Sequence, residues 1–438
     1  MNVILLSGGS GKRLWPLSND IRSRQFIKIF KQKDGSYESM IQRVCRQIRK
    51  ADKYTQITIA TSKSQVSSIH NQLGDTINVC IEPSRKNTFP VIALTAAYLH
   101  DVQDVSEDEV IAVCPIDPYV EDEYFLWIKE LTDFIYRENI NLALMGVTPG
   151  SSSEKYGYII PEDQNRISKV RLFKEKPDAE TAQKYIKEGA LWNGGVFVFQ
   201  LKYVLQKAHQ LIDFTDYEDL YDKYETLDEI SFDYAVVEKE NDLCVMHYDG
   251  LWKDISTWDA LSAEMTDTII GQGLCDESCQ NLNIVNELNV PVLCMGLKDV
   301  VVSASPEGIL VSDKQQSREI ESFVDKMEQR VMYAEKSWGD FRVLDVEEGS
   351  LTIKATLNPG YHMNYHSHDH RDEVWTILSG NGRTIVDGME ELVGPGDVIT
   401  MEAGCKHTII ADTKMQLIEV QLGKEINVHD KHKYELED

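Results

Sequence analysis

Short apolar runs alternate with helix-like stretches through residues 1–150, and this rhythm constrains the fold more than any other feature. Val3–Leu6, Ile57–Ala60, Val79–Ile81, Val110–Val113 and Leu142–Val147 are bounded by turn residues and too short for helices, as buried strands are. Pro90–His100 and Glu121–Glu138 carry helical patterns between them, the first with proline in its opening turn. Such alternation predicts a mostly parallel sheet wrapped by helices. In such sheets a ligand lies beyond the carboxyl ends of the strands. Ser7–Arg13, Glu82–Thr88 and Pro115–Asp117 all fall at those ends.

A chain of 438 residues exceeds one ordinary core. Residues 262–331 read as a connecting β/α segment, with strands at Val290–Leu297 and Val300–Ala304 and a polar helix near Lys314–Met327. From Trp338 onward, short strands are separated by turns at Gly360, Gly380, Gly382, Gly388, Gly394 and Gly396, the texture of a small antiparallel barrel. The expected domains are therefore 1–261, 262–331 and 332–438. No apolar run approaches the roughly 20 residues that cross a bilayer, and Val3–Leu6 is too short for a signal-peptide core. A cytoplasmic setting is expected. Eight cysteines include one close pair, Cys275-x3-Cys279, without the second pair a zinc site needs, and read as reduced thiols.

The formal charge of −27 argues against a nucleic-acid partner, since backbone phosphates need a basic face. Against that background Lys12, Arg13, Arg22, Arg24 and Lys28 are opposed only by Asp20. A solvated charge run is the ordinary reading. Because this one follows Gly8-Gly9-Ser10-Gly11, a phosphate site is the better one, since glycines let backbone N–H groups approach an anion. Leu6 and Arg13 break a Walker loop, and Leu14 breaks a dinucleotide fingerprint.

The stretch GGSGKRLWPLS resembles the signature of mannose-1-phosphate guanylyltransferases, and further blocks follow in that family's order. They are Glu82–Thr88, Pro115–Asp117, Tyr156–Ile159, Phe173–Pro177, Trp192–Gly195, Asp233–Lys239 and Trp252–Trp258. The resemblance implies an α/β fold: a mostly parallel, Rossmann-like nucleotidyltransferase domain, then an all-β cupin barrel of the kind fused as a mannose-6-phosphate isomerase. It implies attack by mannose 1-phosphate on the α-phosphorus of GTP, with pyrophosphate leaving. Arg13 and Arg24 would hold the triphosphate and Lys176 the sugar phosphate. Leu6, Gly8, Gly9, Gly11, Lys12 and Asn87 would line the nucleotide. Gly157, Glu175 and Asn193 would meet the sugar, and Asp117 and Asp254 would carry Mg²⁺. Each has a plainer alternative: Asp117 as a cap, Asp254 and Asn193 as turn residues, Lys176 as a solvated lysine. Ser23-Arg24-Gln25-Phe26 departs from the family's Pro-Lys-Gln-Phe, and arginine and lysine are not interchangeable.

The C-terminal part carries Gly360-x5-His366-x-His368-x4-Glu373-x6-Gly380 and a later His407, which fits the cupin motifs. His366 and His368 share a strand face, whereas Glu373 has the opposite parity and requires a bulge or turn between. Three imidazoles and a carboxylate suit Zn²⁺, Fe²⁺, Mn²⁺ or Ni²⁺; His370 is a spare. Isomerisation also needs a base, which the sequence supplies less convincingly than the metal site. The expected partners are GTP, a sugar 1-phosphate and a second copy of the chain in a homo-oligomer, with no nucleic acid and no membrane. The alternative reading is a nucleotidyltransferase for another sugar 1-phosphate, with a non-catalytic or regulatory cupin domain.

Overall fold

The computed structural model describes every residue except 10, 20, 139, 328–329, 425, 428–429 and 436–438. Ser10 of the glycine turn and Asp20 of the basic run therefore lie outside the described residues. The chain packs as two compact units, one of Met1–Gly9, Gln25–Val66 and Thr76–Thr266, the other of Ser10–Arg24, Ser67–Asp75 and Asp267–Asp438.

A nine-stranded sheet forms the first unit, in the order 78–82, 56–62, 2–7, 110–115, 191–200, 142–147, 243–248, 167–174, 158–161. All five apolar runs of the sequence reading lie in these strands. The first four strands of that order are mutually parallel. Leu191–Gln200 then runs antiparallel to both of its principal neighbours, so the sheet is mixed, with its parallel half carrying the glycine turn. Helix Thr88–Asp101 is buried along most of its length, which is why its sequence is apolar on nearly every face. Asn87 caps it from a positive φ of 70°, accepting a hydrogen bond from Thr88 N.

Two antiparallel sheets, six- and five-stranded, make the C-terminal barrel of the second unit. Trp375, Met401, Ile409, Met415 and Leu417 are among the side chains packed inside it. Ahead of it, strands 269–271, 283–286 and 300–305 pair in parallel, and so do 273–275 and 292–294, which lie between them in sequence. Successive turns of chain thus stack as a short solenoid over Leu282, Ile284, Cys294 and Val302. The expected strand 290–297 is only Val292–Cys294, because one solenoid face is just three residues wide. The expected helix near 314–327 shrinks to a 3₁₀ turn, Gln316–Glu319, and the helix Ile320–Val324. Lys314 is buried and spends its ammonium on Asn281 and Asn283, at 2.7 and 2.6 Å, and Ser317 Oγ donates to the Lys314 carbonyl. These side-chain bonds compete with a regular helix start.

Among the described residues no helix is long and apolar enough to cross a membrane. All eight cysteines are free.

Candidate functional site

In the first unit, strand register decides what meets the glycine turn. Leu6 pairs with Pro115 in parallel strands, so Gly8 and Asp117 each follow two residues beyond that pair. The chain then forms Pro118–Val120, which runs antiparallel to Trp252–Asp254 with Asp254 opposite Pro118. Residues directly opposite in such a ladder have Cα atoms roughly 4.5–5.5 Å apart. Asp117 and Asp254, far apart in sequence, thus stand one register position apart at one end of one ladder. Asp254 is exposed and Asp117 half-buried, as suits carboxylates that face a hydrated hard cation. The Tyr156 hydroxyl is pushed up to about 12 by burial and by the Asp254 carboxylate, which ties the Tyr156-Gly157 turn to this acidic end.

The turn itself begins in a polar cluster. Gln25 Nε2 donates to Ser7 Oγ at 2.9 Å and to Gln65 Oε1 at 3.1 Å, and Thr61 Oγ1 donates to Gln65 at 2.9 Å. Gly9 adopts a φ of 154°, and a Cβ on Gly8 would have nothing within 4 Å, so this backbone is open to a ligand. Arg85 Nη2 donates to the Gly9 carbonyl at 3.2 Å.

Gly157 is a glycine because of Glu175: a Cβ there would lie 2.5 Å from Glu175 Oε2 and 3.0 Å from the Phe173 ring. Asn193 N donates to Gly157 O at 2.8 Å, so Gly157, Glu175 and Asn193 form one contiguous patch. Burial raises the Glu175 carboxyl above its ordinary value, with Lys176, 3.2 Å away, opposing the shift. Lys176 is exposed and holds a positive φ of 43°, which is uncommon for a lysine and is the kind of strain that gathers at functional sites.

Gly11, Lys12, Arg13 and Arg24 belong to the second unit. A Cβ on Gly11 would clash with the Asn19 backbone, 1.9 Å from its oxygen. Lys12 Nζ pairs with Asp325 at 2.5 Å and Arg13 Nε with Glu321 at 3.2 Å. Both pairs are exposed enough to exchange for another anion at little cost. Arg22 differs from the rest of the basic run. It is buried, forms a two-pronged pair with Glu287 at 2.8 Å, and lies 4.9 Å over the Tyr333 ring, so its role is structural.

The barrel brings together His366, His368, Glu373 and His407, all buried, with one ligand atom of each within 4.8 Å of the others. The required turn is present, since His366–Ser367 lies in one sheet and Arg371–Ser379 in the other. Each ring faces a backbone carbonyl through Nδ1: His366 to Asn364, His368 to Asp430, His407 to Cys405. That bond places the ring proton on Nδ1 and turns the Nε2 lone pair inward; on His368 that lone pair accepts from Arg371 Nη2 at 3.1 Å, a bond that a metal would displace. Burial, with Lys431 and His407 nearby, pushes His366 down to about 3, so the ring is neutral as a ligand must be. Glu373 Oε2 and His407 Nε2 lie 3.3 Å apart, and neither has a hydrogen-bond partner. Two buried orphan atoms beside two further ligands fit a divalent transition metal. Sequence reasoning missed Arg371, whose Nε donates to Glu373 Oε1 at 3.3 Å. It also missed Glu419 and Lys431, which line a cavity of about 660 Å³ together with His366, His368 and Glu373. Only folding reveals those neighbours, because they come from three different strands and loops.

Comparison with known proteins gives two family matches: nucleotidyl transferase over residues 2–269 and the cupin domain over residues 353–421. The mannose-1-phosphate guanylyltransferase ManC of Salmonella typhimurium is 26% identical, over 99% of this chain and 97% of its own. The mannose-1-phosphate guanylyltransferase of Escherichia coli K12 is 27% identical, over 98% of this chain and 96% of its own. The xanthan biosynthesis protein XanB of Xanthomonas campestris is 26% identical, over 99% and 97%. A solved structure titled mannose-1-phosphate geranyltransferase, from Thermus thermophilus, shares the fold: its TM-score is 0.61 at 24% identity, over 74% of this chain and 98% of that one.

The barrel geometry generates one direct expectation. Purified protein should contain a stoichiometric divalent transition metal by mass spectrometry of the acid digest, and His368→Ala should lose it. Equal metal content in the variant would remove the cluster as a metal site.

Proposed function

The chain belongs to the nucleotidyl transferase family, and we propose that within it this enzyme transfers a guanylyl group from GTP to mannose 1-phosphate, giving GDP-mannose and pyrophosphate. The observation that carries the reading is the ladder that sets Asp254 opposite Pro118, beside Asp117, at the carboxyl end of the parallel strands. Full-length similarity to named mannose-1-phosphate guanylyltransferases supports the substrate pair.

No covalent intermediate on the protein is required, so catalysis rests on positioning and charge neutralisation. Lys12, Arg13 and Arg24 hold the triphosphate, with Arg13 and Lys12 exchanging Glu321 and Asp325 for phosphate oxygens. Leu6, Gly8, Gly9, Gly11 and Asn87 line the nucleotide. Asn87 Oδ1 caps the helix by accepting from Thr88 N, so its contact with the nucleotide falls to its Nδ2 donor. Lys176 takes the sugar phosphate, and Glu175 and Asn193 take sugar hydroxyls across Gly157. Asp117 and Asp254 would hold Mg²⁺, which when bound supplies charge neutralisation on the triphosphate. The phosphate oxygen of the sugar then displaces pyrophosphate.

A specific observation also favours isomerase chemistry in the barrel, the interconversion of mannose 6-phosphate and fructose 6-phosphate. Glu419 lines the cavity beside the metal cluster, and its carboxyl is pushed up to about 7 by burial and then by the charge of Glu373. A group in that range can take a proton from one carbon and return it to the next. Lys431 lines the same cavity and offers positive charge to a phosphate.

With Mg²⁺ and mannose 1-phosphate, pyrophosphate release should be fastest with GTP among the four nucleoside triphosphates. Release with a different sugar 1-phosphate and none with mannose 1-phosphate would reassign the substrate, and none with any pair would end the reading. Fructose 6-phosphate should form from mannose 6-phosphate in a coupled assay and disappear in Glu419→Gln. An intact protein that never forms it would leave the barrel without isomerase function.

A further inference from the structure

Asp233 has no part in the reading above, yet its surroundings are those of a recognition residue. It lies in the four-residue helix Phe232–Ala235. Capping does not explain it, because Ser231 already caps that helix by accepting from Tyr234 N. Its side chain points instead at Asn193: Asn193 Nδ2 donates to Asp233 Oδ1 at 2.7 Å. On the other side of the same amide, Gly195 N donates to Asn193 Oδ1 at 3.1 Å.

Together these two bonds fix which way the amide faces. A side-chain amide has two N–H donors and two acceptor lone pairs. One of each is now used within the protein, so one donor and one acceptor remain for a ligand. The backbone of Asn193 is tied as well, through its bond to the Gly157 carbonyl. Asn193 is 9% exposed and Glu175 6%, so a polar ligand reaching them exchanges water for a nearly complete set of protein partners. Glu175 lies on the same patch, held over Gly157 and by its own backbone N–H donating to Glu238 Oε1 at 3.0 Å. The proximity of Asp233 to Glu175 is also felt electrostatically. Burial, and then the charge of Glu175, pushes the Asp233 carboxyl up to about 7.

We propose that Asp233 is a positioning residue for sugar recognition: it pins the Asn193 amide so that its remaining N–H and lone pair, with Glu175 beside them, read hydroxyl groups of the hexose 1-phosphate. This rests on the nucleotidyltransferase reading of the first unit and extends it to specificity. Without the pin, only the bond from Gly195 N holds the amide, and its donor is no longer held in place for the ligand. A site built to hydrogen-bond hydroxyls then loses affinity for its sugar and loses discrimination against a deoxy analogue.

The test is steady-state kinetics on the full chain, comparing wild type with Asp233→Leu and Asp233→Asn. Mannose 1-phosphate and its 2-, 3-, 4- and 6-deoxy analogues serve as acceptors. Asp233→Leu removes the acceptor for Asn193 and should raise KM for mannose 1-phosphate by about tenfold or more, while KM for GTP stays within about twofold. Its preference for mannose 1-phosphate over the most discriminated deoxy analogue should fall by a similar factor. Asp233→Asn keeps an oxygen that can accept the same bond, and should return KM to within about threefold of wild type. If Asp233→Leu does not fold, Asp233→Ala carries the same expectations. Unchanged sugar KM, equal rises for sugar and nucleotide, or an Asp233→Asn variant as impaired as Asp233→Leu would each overturn the assignment. A wild-type protein that releases no pyrophosphate would remove the reaction itself, and this role with it, so the two failures are told apart by the wild-type result.

Discussion

A three-residue antiparallel ladder constrains the candidate site of the first unit more than any helix or core cluster. Pro118–Val120 and Trp252–Asp254 are short, and their hydrogen bonds add little stability. What they add is register: Asp254 lies opposite Pro118, next to Asp117. Asp117 lies just before that strand, after a bend at Ile116, so its direction is set by the turn into Pro118 and not by the alternation of the ladder. The parallel pairing of Leu6 with Pro115 brings the same strand end beside the glycine turn. Two independent ladders therefore position acids and open backbone at one edge, the edge where ligands sit in such sheets. The aromatic contacts of Tyr156 with Trp192 and Trp252, at 4.5 and 5.9 Å between ring centroids, run from the patch of Gly157, Glu175 and Asn193 to the ladder.

The barrel solves a related problem differently. Its ligands come from both sheets, and the crossing between them lies between His366–Ser367 and Arg371. Backbone carbonyls orient all three imidazoles, so the inward nitrogens are fixed before any ion arrives. Arg371 sits in the same buried space, bonded to Glu373 and 3.1 Å from His368 Nε2. Its charge opposes that of a metal ion while holding the carboxylate in place. Preorganisation of the first ligands by surrounding groups is what makes such sites tight.

Much of this was legible in the chain itself. The five apolar runs that form strands, the barrel texture after Trp338 and the cupin spacing are local patterns, and local patterns survive in sequence. Asn87 is a mixed case: the reading assigned it to the nucleotide, and the structure adds that it caps a helix from a positive φ. The basic run was less readable. Lys12 is half-buried on Asp325, Arg13 is exposed beside Glu321 and Arg22 is buried on Glu287, a difference set by residues more than 260 positions away. The solenoid was not foreseen, because strands of three to six residues leave no period to detect. Asp233, quoted only as part of a motif block, and Glu419 received no role, because each is defined by its neighbours across the fold, Asn193 and Glu175 for one, Glu373 and Lys431 for the other.

Asp117 and Asp254 are proposed to serve one ion, and a double-substitution cycle reads this directly. Pyrophosphate release at saturating Mg²⁺ would be measured for Asp117→Asn, Asp254→Asn and the combination. Residues acting as a unit are strongly non-additive, so the double variant should lose about as much kcat/KM as the worse single one. Losses that multiply, each acid contributing as if the other were absent, would contradict it.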